Sequence, residues 1–285
     1  MIIDMHVHPF CKEAHWGEDI NKIAEKLLGK VKTGRRRLFK FFEVMKDKIS
    51  IDDYVSTMNK YEIDKAVIVS FNLISAYDIC LVNNEDLANF VKRYPNRLIG
   101  YAGIDFPAHN VLEQLEYAIV SLGLKGVKAA PPVQKFDISD KKLDPLWRKM
   151  IDLNVPLWTH TADARTVIGS ITKYGHPMLI DELATRHQDL TIIMGHMGIP
   201  WFWEAISVVL RHPNVYIDIS NHPIYYKYFP WDVFTAEGSE NKLLYASDHP
   251  LINWNEILPA VKKLPISEGF RKLILYENAK KLLKI

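Results

Sequence analysis

Eight short apolar runs, each about the length of a β-strand, recur along the chain with room for a helix between them. They are Met1–Met5, Ala66–Phe71, Leu98–Ile104, Leu124–Ala129, Val155–Thr159, Leu190–Met194, Val215–Ile219 and Leu243–Ala246. The intervals Asn83–Arg93, Leu112–Leu122, Leu143–Leu153, Met178–His187 and Trp201–Arg211 repeat apolar residues every three or four positions, the period of an amphipathic helix. Alternating strands and helices imply parallel strands joined by helical crossovers. Eight such units in 285 residues are what a (β/α)8 TIM barrel requires, with a doubly wound open sheet as the alternative. No repeat, low-complexity stretch or linker divides the chain, so residues 1–285 are expected to form one barrel domain.

From Phe10 to Asp64 the chain is far longer than one crossover needs. Ile20–Leu28 and Leu38–Met45 read as amphipathic helices, and Ile51–Tyr61 as the crossover helix itself. An insertion leaving the first strand rises over the C-terminal face, where barrel active sites lie, so residues 10–50 are expected to form a helical lid. The basic run Lys30–Lys40, with Arg35, Arg36 and Arg37, hints at phosphate binding but reads more simply as a solvated helix start.

Charge narrows the partners. Lys and Arg total 36 against 34 Asp and Glu, a net charge of +2, which argues for a small-molecule substrate and against nucleic acid or a membrane surface. No stretch approaches the ~20 apolar residues of a membrane span. Cys11 and Cys80 are the only cysteines, too few for a disulfide framework or a paired-cysteine zinc site. Asp4 and two histidines stand where a signal peptide needs a basic region and an apolar run. The expectation is a cytoplasmic protein; a homodimer is allowed.

The eleven histidines are the feature to explain. His6 and His8 lie two apart, and side chains at i and i+2 of a strand share a face, so both imidazoles can meet one ion. Taken alone, such a pair is more often structural than ligating. The fifth apolar run closes on His160, the sixth on His196 and the eighth on Asp248. Four histidines and an aspartate at matching ends of four strands imply a shared site, and imidazoles with a carboxylate suit a divalent metal that keeps an open position. Zinc is the expected ion, with manganese and iron also compatible.

His6-Val-His8, Gly126-Val-Lys128, His160-Thr161, Gly195-His196-Met-Gly198, Val215-Tyr-Ile-Asp218, Ser247-Asp248-His-Pro and Glu277-Asn278-Ala279 run from end to end of the chain. Together they resemble the amidohydrolase superfamily, and within it the amidohydrolase-related branch that includes aminocarboxymuconate-semialdehyde decarboxylase. The resemblance implies a metal-bearing barrel with His6, His8, His160 and Asp248 as ligands. In single-ion relatives the residue matching His196 acts on the metal-bound water; in two-ion hydrolases it binds the second ion. Lys128 matches the position where two-ion members carry a bridging carbamylated lysine, and is otherwise a partner for a carboxylate of substrate or protein. Ala129-Ala130 departs from the histidine that many relatives place shortly after this lysine.

Asp163 and Arg165 follow His160 closely enough to face the same pocket, where the guanidinium could hold a substrate carboxylate. The ordinary reading, surface loop residues, stands beside it. His15 and Trp16 follow the first strand and are candidates for the mouth. A divalent ion lowers the pKa of bound water to ~7, and Asp248 is the expected proton acceptor, with His196 sharing the transfer. The expected activity is hydrolysis of a small amide, ester or lactone. The alternatives are non-oxidative decarboxylation of a small carboxylated substrate and a barrel that binds metal or ligand without turnover.

Overall fold

The computed structural model describes residues 1–29, 42–165 and 167–285. The run Lys30–Lys40 and the first half of the expected helix at Leu38–Met45 lie outside them. Eight parallel strands form the sheet: β1 (Ile3–Val7), β2 (Lys65–Val69), β3 (Leu98–Gly103), β4 (Gly126–Ala129), β5 (Leu157–Thr159), β6 (Ile192–Met194), β7 (Val215–Asp218) and β8 (Leu243–Leu244). Each pairs with its successor, and β8 returns to β1: Met5 N–H donates to Tyr245 O at 2.9 Å and Asp248 N–H to His6 O at 2.9 Å. The protein is a TIM barrel rather than an open sheet.

Crossover helices follow the strands at Ile51–Lys60, Asn84–Arg93, Val111–Glu116, Asp144–Asp152, Pro177–Arg186, Phe202–Arg211, Trp231–Ala236 and Trp254–Lys262. Their starts are written locally. Ser50 and Asp53 form a reciprocal capping box at the first, and the Asn83 side chain accepts from Asp86 N at the second. An antiparallel ladder of Phe71–Asn72 with Cys80–Leu81 follows β2. The sequence carries no alternation long enough to announce it.

Two cores result. Ile3, Met5, Val67, Val69, Tyr101, Trp158, Ile193 and Leu244 fill the barrel interior, and a larger cluster packs between strands and helices. Two glycines make room for the largest interior rings. A Cβ at Gly126 would come within 2.7 Å of the Tyr101 ring, and one at Gly195 within 2.3 Å of the Trp158 indole.

β1 is irregular. Asp4 pairs with Ala66 but Val7 with Ile68, so β1 spends one extra residue on this step. Met5 consequently lies in the inner cluster and Val7 in the outer one, although a regular strand would put both on one side. Such a bulge re-aims the side chains beyond it, and here those are His6 and His8.

Candidate metal centre

At the C-terminal end of the barrel, β1 delivers His6 and His8 side by side, ring centroids 4.9 Å apart. Asp248, just beyond β8, joins them: its Oδ1 accepts from His8 Nε2 at 3.2 Å and lies 3.6 Å from His6 Nε2. One donor atom from each of the three residues lies within 4.8 Å of the others. Across the site the His160 and His196 rings are 4.5 Å apart, and His196 is 5.4 Å from His6. His160 stands outside the three-residue group, its Nε2 3.2 Å from Asp163 O. Lys128, from β4, places Nζ 2.9 Å from His6 Nε2.

The protonation states suit a metal, which binds neutral imidazole and ionised carboxylate. Burial drives His6, His8 and His160 below the ordinary imidazole range. Burial alone would raise Asp248, but the hydrogen bond from His8 and the neighbouring basic groups His196, His8 and Lys128 outweigh it and hold the carboxyl below its usual range. Burial also brings Lys128 down to about 7. His8 Nδ1 is buried with no hydrogen-bond partner, and His6 Nδ1 faces Asp218 Oδ2 at 3.9 Å, beyond hydrogen-bond reach.

Two buried carboxylates support these side chains. Asp4 Oδ1 accepts from His6 N–H at 3.2 Å and Ser247 N–H at 3.0 Å, while Oδ2 accepts from Trp254 Nε1 at 2.7 Å. Asp218 Oδ1 accepts from His196 N–H at 2.9 Å, Ser220 N–H at 3.0 Å and Ser220 Oγ at 2.5 Å; its Oδ2 accepts from Trp158 Nε1 at 2.7 Å. Burial raises both carboxyls, Asp4 to about 7. Because Ser220 Oγ spends its hydrogen on Asp218, His196 Nδ1 meets only acceptors, Ser220 O at 3.1 Å and Ser220 Oγ at 3.0 Å. This network assigns the hydrogen to Nδ1 and leaves Nε2 as a lone pair. His196 and Asp248 also hold left-handed backbone, φ 63° at each, a conformation costly for side chains with a Cβ and concentrated at functional sites.

The amidohydrolase family model matches residues 3–285. The chain belongs to the amidohydrolase family. An uncharacterized TIM-barrel protein from Bordetella bronchiseptica superposes on this amidohydrolase with a TM-score of 0.74 at 23% identity, over 99% of this chain and 98% of its own. The 5-carboxyvanillate decarboxylase of Novosphingobium aromaticivorans, complexed with manganese and 4-hydroxy-3-methoxy-5-nitrobenzoic acid, gives 0.70 at 17% identity, over 100% and 96%. A probable 2-pyrone-4,6-dicarboxylic acid hydrolase from Acinetobacter baumannii, with citric acid bound, gives 0.64 at 17%, over 100% and 99%.

Above the amidohydrolase centre opens a cavity of about 1050 Å³. Phe10, Leu27, Leu28 and Phe42, from the insertion after β1, line it together with Phe71 and Ile168. Asp163 and Arg165 reach the wall too, but bound to each other: Arg165 Nε donates to both Asp163 oxygens, at 2.9 and 3.1 Å, and Nη1 to Tyr225 OH at 3.0 Å. The wall does not include His15 or Trp16. His15 is exposed. Trp16 is buried against Phe10 and Phe42 and donates its Nε1 to Cys11 O at 2.9 Å, so its indole packs the insertion rather than the mouth.

Sequence reasoning assigned no role to Asp4, Asp218, Trp158 or Trp254. A usable signal existed for the two acids: each is a charge inside an apolar strand run, Met-Ile-Ile-Asp4 and Val-Tyr-Ile-Asp218, and a buried carboxylate must find donors.

Proposed function

We propose that this protein is a metal-dependent hydrolase of a small amide, ester or lactone. The observation that carries the reading is the grouping of His6, His8 and Asp248 within 4.8 Å at the floor of a large, mostly apolar cavity. These three residues hold one divalent ion, with His160 as a fourth ligand from the facing strand. Zinc fits the imidazole-rich donors, and manganese, which a relative binds, is the next choice. When bound, the ion supplies an activated water and a Lewis acid for the substrate carbonyl.

The remaining chemistry belongs to the chain. Asp248, ionised beside His8, takes up a proton and returns it to the leaving group. His196, its Nδ1 hydrogen committed to Ser220, offers Nε2 as a second proton acceptor. Residues 10–50 form a lid that excludes water, a role supported by Phe10, Leu27 and Leu28 on the cavity wall. Hydrolysis is favoured over loss of CO₂ because Arg165, the one arginine on the described wall, already has its charge matched by Asp163. We take the protein to be cytoplasmic on its two free cysteines. Among the described residues no helix is long and apolar enough to cross a membrane.

A screen of esters, lactones, amides and aromatic carboxylates with zinc or manganese tests the reading. The expected result is metal-dependent acid release, with Asp248→Asn lowering kcat about 10²–10⁴-fold. Release of CO₂ from an aromatic carboxylate, with no hydrolysis of any ester, lactone or amide, would establish the decarboxylase alternative instead.

A further inference from the structure

Trp158 lies beneath the centre with its side chain fully buried. Its Nε1 donates to Asp218 Oδ2 at 2.7 Å, which fixes the plane of the indole. Lys128 Nζ sits over that plane, 3.2 Å from the ring centroid. The His6 ring centroid is 4.0 Å away with the planes tilted by 40°, and His196 meets the indole at 5.4 Å and 83°. The second neighbour of Nζ is His6 Nε2, at 2.9 Å. The lysine amino group is thus held from two sides, by an aromatic face and by a ligand imidazole.

Resting on the metal-dependent reading above, we propose that the Trp158 indole keeps Lys128 an unmodified amine and so limits the centre to a single ion. A lysine that bridges two ions does so as a carbamate. Its Nζ attacks the carbon of CO₂ and forms an N–C bond, one C=O electron pair moves onto oxygen, and Nζ gives a proton to solvent. The product is an N-carboxylate anion. One feature of this chain opposes that product. The face of an indole carries negative potential, which attracts an amino or ammonium group and repels anionic oxygens. Removing the π-face removes that obstacle and frees volume around Nζ.

The test uses the full-length protein saturated with zinc in ¹³C-bicarbonate, reading bound zinc per chain and the ¹³C NMR resonance of a lysine carbamate. The wild type is expected to hold one zinc and show no carbamate. Trp158→Leu is expected to show the carbamate and a second zinc, and to lose both when combined with Lys128→Met. Trp158→Met fills more of the same volume without a π-face and carries the same expectation if the leucine variant does not fold. Trp158→Phe keeps a π-face and is expected to match the wild type. A wild type carrying a carbamate and two zinc ions would overturn the inference, as would folded Trp158→Leu or Trp158→Met protein with one zinc and no carbamate. A wild type that binds no zinc would overturn the metal-dependent reading itself, and the inference with it.

Discussion

Asp218 touches no solvent and receives hydrogen bonds from the Trp158 indole, from the backbone of His196 and from Ser220, so one carboxylate sets the position of three parts of the centre. An amide there would present N–H to at least one group that also donates. Asp218→Asn is therefore expected to weaken zinc binding about 10–100-fold, the usual cost of losing a group that orients ligands. Competition against a chelator of known affinity measures it, and wild-type affinity in a folded variant would show that Asp218 does not position the site. Histidine type and spacing made His6, His8, His160 and His196 visible in the sequence, because few other roles need imidazoles at three strand ends. Asp4 and Asp218 went unassigned because their partners, Ser247 and Trp254 for one and Trp158 and Ser220 for the other, come mostly from distant strands and helices.

At the scale of elements, periodicity located the crossover helices closely: Trp201–Arg211 was expected where Phe202–Arg211 forms, and Leu143–Leu153 where Asp144–Asp152 forms. The first strand moved more, from Met1–Met5 to Ile3–Val7, because hydrophobicity alone cannot extend a strand through His6, a histidine that the site buries. The end of β6 shows how tightly element and site are joined. Gly195 precedes His196 and leaves the volume that the Trp158 indole occupies, since a Cβ there would meet the indole at 2.3 Å and Thr159 O at 3.1 Å. Gly195→Ala is expected to destabilise the fold by about 1–3 kcal/mol, the range for overpacking a filled core. Thermal or urea unfolding checks this, and a variant as stable as the wild type would show that the β5–β6 end can relax.

For the molecule as a whole, a metal that binds only the folded barrel must stabilise it by mass action, about 2.7 kcal/mol at a free concentration 100 times Kd. Three of the four proposed ligands, His6, His8 and Asp248, come from β1 and its end and from just beyond β8, the first and last strands of the barrel, so the ion would bind the two ends of the barrel sequence together. Zinc is expected to raise the Tm of the wild type and a chelator to reverse the rise, while the His6→Ala/His8→Ala double variant shows no zinc-dependent shift. An equal shift in that variant would place the ion elsewhere. By itself the sequence determined the eight alternating strand and helix units and the residue types of the centre, because periodicity and strand-end chemistry are local properties, whereas closure into a barrel needed the pairing of β8 with β1. The tertiary structure alone decided which way His6 and His8 point, since the extra residue between Asp4 and Val7 is defined only by pairing with β2. It also decided that Arg165 reaches the wall already paired with Asp163, and that Lys128 lies on Trp158. Such contacts depend on where separate strands and loops meet, which packing fixes and local pattern does not.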